Sequence, residues 1–111
     1  MNNLNLIVAF FALTMVSSVN AFECPKHFQA AQDKIDKVAA DMKGMKDKMP
    51  KEKHALVHAM LDDAKMRLAS ARHNHEKPQG LYDHARALAK ADAALGYASA
   101  ADQLHFKYMQ N

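Results

Sequence analysis

The sequence predicts an all-α protein, an up-down-up three-helix bundle that follows a cleaved signal peptide. Three features carry that prediction. Beyond residue 21 the β-branched residues are Ile35, Val38 and Val57 alone, amid abundant Ala, Lys, Met, Leu, Asp and Gln, which argues against sheet. Pro25, Pro50 and Pro78 stand about 25 residues apart, and proline is tolerated in a first helical turn but not in a helix interior. Between those prolines, apolar side chains recur at alternating steps of three and four.

Residues 1–21 form the expected signal peptide. They contain no charged side chain, and Leu4 to Val16 is almost wholly apolar. The run is too short for a bilayer span, which needs about 20 residues. It suits a secretory h-region, and Val19-x-Ala21 fits the small-residue cleavage pattern, with the cut after Ala21. Met1-Asn2-Asn3 lacks Lys and Arg, so the α-amino group supplies the positive charge of the n-region. The mature chain, 22–111, is expected in the periplasm or secreted, with no membrane segment after cleavage.

Helices are expected at about 25–48, 51–75 and 79–109. The first seam runs through Cys24, Phe28, Ala31, Ile35, Val38, Met42, Met45 and Met49. The second runs through His54, Val57, Leu61, Ala64, Leu68, Ala71 and His75, and the third through Leu81, His84, Leu88, Ala91, Leu95, Ala98, Asp102, His105 and Met109. Such stripes belong to helices packed at a shallow angle, and the alanines of the third would let its neighbours approach closely. Short connections at Met49-Pro50 and Glu76-Gly80 make consecutive helices antiparallel. Stripes left partly uncovered would favour association of two copies into a homodimer.

One small core supplies only a few kcal/mol, and secreted domains of this size often add disulfides. This chain has a single cysteine, Cys24, which can pair with another chain, stay reduced or bind a ligand. A net charge of +3, without a separate basic block, gives no basis for nucleic-acid binding. Catalysis is not expected either. Ser17 and Ser18 leave with the signal, and no nucleophile triad, phosphate loop or paired-glutamate di-iron pattern is present.

The chain carries seven histidines. Antiparallel matching by height gathers them at the two ends of the bundle. One expected site holds His54, His58, His105, Asp102, Met45 and Met49, with Met42 one turn inward. His54 and His58 are spaced i, i+4, and Asp102 and His105 i, i+3, so each pair can share a helix face. The second expected site holds Cys24, His27, His73, His75 and His84, near Asp83, and the amino group of Phe22 would join it after cleavage. Imidazole suits copper, zinc and nickel, whereas thioether and thiolate sulfur favour Cu(I), so copper is the expected metal, ahead of zinc or nickel.

Each fragment also has a plainer explanation. A methionine stripe is usually core filler, and HxxxH without a following Glu is no protease motif. His73 and His75 near a helix C-terminus suit the helix dipole. What favours metal is the placement of His54, His75, His84 and His105 at seam positions, where an imidazole must have its nitrogens satisfied. The alternatives are non-covalent haem, since Met and His both serve as axial ligands, and a metal-free periplasmic adaptor or chaperone. The latter would use Lys34, Lys37, Lys43, Lys46, Lys48, Lys51 and Lys53 on an acidic partner. Those lysines are interleaved with Asp33, Asp36, Asp41, Asp47 and Glu52, and the LTxxQ-type repeats of helical-hairpin stress chaperones are missing.

Overall fold

The computed structural model describes residues 24–45 and 47–110, so the expected signal peptide lies outside the described residues. Three helices account for nearly all of them, and no strand occurs among them. Helix α1 covers 24–44, α2 Lys51–Glu76 and α3 Leu81–Met109.

The helix ends follow from local chemistry. Helix α1 stops at 44 rather than near 48, and its last turn closes through Met45 N–H on the Met42 carbonyl (3.3 Å) and Lys48 N–H on that of Met45 (3.0 Å). Pro50, at φ −55° and ψ 141°, then sets the direction of α2, whose first turn carries Glu52 at the positive end of the dipole. Pro78 disfavours a helical conformation at Lys77, which takes φ −128° and caps α2 by donating its N–H to the His73 carbonyl. Helix α3 opens with Asp83 reaching back to accept the Gln79 N–H at 2.6 Å.

Side-chain pairs fix the directions. Phe28 meets His75 and Gln32 meets Arg72, so α1 and α2 run antiparallel. Lys90 donates to Ser70 and Asn74, and Arg67 lies over the Tyr97 ring while bonding its hydroxyl, so α2 and α3 are also antiparallel. Lys37 meets Asp102 and His27 meets Asp92, which makes α1 and α3 parallel. The up-down-up bundle is present. The α1–α2 pairings and that of His75 with His84 lie within about one helical turn of those expected from tight connections, while Arg67–Tyr97 and Lys90–Asn74 are displaced by about two turns.

The seams of α1 and α2 are buried as expected, apart from Met45, which is exposed, and from half-buried His54 and His75. The seam of α3 is only partly the expected one: Ala91, Ala98 and His105 are buried as expected, but Leu81, His84, Leu88, Leu95, Asp102 and Met109 are not. Its buried residues are Ala87, Ala91, Ala94, Ala98, Ala101 and His105, while Leu88 and Leu95 sit half-buried on the flank and Leu81 is 89% exposed. A methyl group at each central position lets backbones approach more closely than leucine would. The leucines then cover the edges of the contact instead of filling it. No helix of the described residues is long and apolar enough to cross a membrane.

Candidate metal centres at the bundle ends

At the end where α2 hands over to α3, the Glu76–Gly80 turn brings His75 and His84 together. Their rings meet edge to face, with centroids 5.8 Å apart and planes at 79°. Phe28 of α1 closes the other side of His75, at 5.3 Å. The Nδ1 atoms of both histidines are buried and have no hydrogen-bonding partner. Cys24 is buried in the same corner, its Sγ 4.0 Å from the main-chain oxygen of His84.

The other residues expected here are held elsewhere. The Nδ1 of His27 pairs with Asp92, about two turns further along α3 than His84. His73 lies on the exposed side of α2 and takes part in the turn through its carbonyl. Asp83 is occupied by the Gln79 N–H and lies 3.8 Å from the Arg86 guanidinium.

At the end near Pro50, the expected residues divide among three environments. Met49 and Met42 are core residues, and His105 is 7% exposed with its Nε2 buried and without a partner. His54 and His58 instead line a groove between α1 and α2 together with Met42, Leu61, Lys43 and Lys65. Their rings are roughly parallel, at 29°, with centroids 6.5 Å apart. Asp62, one turn on from His58, places Oδ2 3.2 Å from its Nδ1.

Asp102 does not join these histidines. It faces α1, where Lys37 approaches to 3.1 Å and Lys34 to 3.5 Å. Partial burial pushes its carboxyl upward, but the hydrogen bonds and charges of the two lysines outweigh this and hold it below the usual carboxylate value. The i, i+3 spacing to His105 puts the two side chains on neighbouring faces. One face meets lysines and the other enters the core.

Among the described residues, no group of three or more His, Cys, Asp and Glu side chains is arranged to hold a metal ion. The nitrogen donors come in pairs, His75 with His84 and His54 with His58, each with a sulfur-bearing residue nearby. Sequence reasoning placed Met42 one turn inward of the first site and left Asp62 out of it. Asp62 was findable from its i, i+4 spacing to His58. Comparison with protein-family models, curated proteins and solved structures returned no match for this chain.

Proposed function

We propose that this protein is exported and binds copper, as Cu(I), on the His75–His84 pair at the α2–α3 end of the bundle, with Cys24 in the same corner, in storage, delivery or homeostasis of the metal. The single observation that carries this reading is the pair of adjacent imidazoles whose Nδ1 atoms are buried without a partner. An unsatisfied polar atom in such a place costs about 1–3 kcal/mol, and a coordinated ion removes that cost. The spacing is suitable. With metal–nitrogen bonds of about 2.0 Å, and roughly 1.1 Å from ring centre to nitrogen, two rings on one ion have centroids at most about 6.2 Å apart. The observed 5.8 Å falls inside that limit.

Two imidazoles satisfy two-coordinate Cu(I), and a turn of the Cys24 side chain would add a thiolate, whereas zinc would require four ligands. Haem is disfavoured because the Phe28 ring, 5.3 Å from that of His75, closes one side of the corner. Export rests on the sequence of residues 1–21 and is tested by the mass of the protein recovered outside the cytoplasm, expected to begin at Phe22.

The test of binding is Cu(I) titration of the untagged full chain under reducing conditions, against a chromophoric Cu(I) chelator, with thermal melting in parallel. Binding should raise the melting temperature, because the ion binds the folded state alone. His75→Ala/His84→Ala should abolish the site assigned here while leaving helicity intact. Retention of full copper binding by that variant overturns the assignment.

A further inference from the structure

We infer that the groove between α1 and α2 is a second, independent Cu(I) site, formed by His54, His58 and Met42. Three features of the groove support it, none of which involves the corner at the opposite end.

The first is the donor set. Two imidazoles one helical turn apart on α2 and a thioether from α1 line the same depression. Thioether sulfur is a soft donor that selects Cu(I) over Zn(II), and Met42 is 4% exposed, already fixed by the core around it. The second is the orientation of His58. Asp62 Oδ2 lies 3.2 Å from Nδ1, close enough for a small turn of the ring to seat a proton between them and leave the Nε2 lone pair for a metal ion, as carboxylates do beside metal-binding histidines. The 6.5 Å between ring centroids exceeds the roughly 5.4 Å expected for two rings in trigonal coordination, and rotation of the exposed His58 side chain would bring them onto one ion.

The third is charge. Lys43 and Lys65 line the groove, so an entering cation meets like charge. Coulomb repulsion scales with the charge of the ion, and Cu(I) suffers half the penalty of a divalent ion in the same place. The groove therefore discriminates against Zn(II) twice, by softness and by charge.

The experiment is chelator-competition titration of the reduced, untagged full chain with Cu(I), and separately with Zn(II). Wild type should bind two Cu(I). His54→Ala/His58→Ala should bind one, as should His75→Ala/His84→Ala. Alanine is the best helix former, and His54 and His58 lie outside the buried core, so circular dichroism should show full helicity in the first variant. Met42→Leu, which conserves core volume, should weaken the groove site for Cu(I) by about tenfold or more and leave Zn(II) binding unchanged; Asp62→Asn should weaken it to a similar degree. The Met42 methyl resonance should shift on addition of Cu(I).

Copper stoichiometry unaltered by His54→Ala/His58→Ala, or an unmoved Met42 methyl, overturns the groove site whatever happens at the other end. A single ion that is lost with His54 and His58 but survives loss of His75 and His84 overturns the corner site and upholds this one. Absence of Cu(I) binding overturns both.

Discussion

The rings of His75 and His84 meet edge to face across the α2–α3 turn, and neither buried Nδ1 has a partner. The contact spans the turn that joins two antiparallel helices. It is therefore held by the same packing that holds the bundle, and anything that binds both rings ties α2 to α3 beside that turn. This coupling makes stability a direct readout of binding.

Proton competition follows from the chemistry of the donors. Apparent Cu(I) affinity should fall as pH is lowered, because protons compete with the ion for imidazole nitrogen. Competition titrations between about pH 7.5 and 5.5 measure the slope. A flat profile would show that imidazole is not the ligand.

His105 gives the opposite expectation. Its buried Nε2 has no partner, and the residue is 7% exposed beneath α3. His105→Leu should stabilise the metal-free protein by about 1 kcal/mol, because it removes an unsatisfied polar atom and keeps most of the volume. Chemical denaturation without metal checks it. A loss of stability would mean that the imidazole is satisfied in a way its surroundings do not reveal.

The alanine seam is testable by overfilling. Ala94→Leu should destabilise the bundle by roughly 1–3 kcal/mol, since a larger side chain forces apart helices that meet on methyl groups. Ala93→Leu, one position round and exposed, should stay within about 0.5 kcal/mol of wild type. Equal effects at the two positions would contradict the buried stripe.

The Asp102–Lys37 pair should make stability depend on pH at both extremes. The carboxyl is held below its ordinary value, so the folded chain binds that proton less readily than the unfolded chain. Its contribution is complete above about pH 4 and is lost as pH falls through the folded value. The Lys37 ammonium, raised by its hydrogen bonds to Asp41 and Asp102, contributes below its unfolded value and loses that contribution as pH rises through the higher folded one. Asp102→Asn should therefore lower the melting temperature at neutral pH, with the deficit shrinking below about pH 4 and in high salt, because Lys37 is solvent-exposed. A deficit independent of pH and salt would assign Asp102 a packing role instead.

Much of the bundle was legible before folding. Pro50 and Pro78 mark the breaks because the ring is incompatible with a helix interior, and the stripes of α1 and α2 had one strong solution each. In α3 two heptad stripes coexist, one through Leu81, Leu88 and Leu95 and the other through Ala87, Ala94 and Ala101. Hydrophobicity favours the first and close approach favours the second. The candidate sites were legible only as neighbourhoods. His75 and His84 come together because a short turn forces them to, but Asp102 and His27 were claimed by Lys37 and Asp92 on other helices.

The sequence by itself determined that the chain forms helices, where they break, which faces of α1 and α2 turn inward, and that histidines cluster toward the ends. Those properties depend on backbone sterics and on patterns within one helix. Only the tertiary structure decided which face of α3 is buried and which imidazoles are left without a partner. These depend on how closely helices approach and on competition among charged groups from different helices, and a one-dimensional pattern contains neither distance nor competitor.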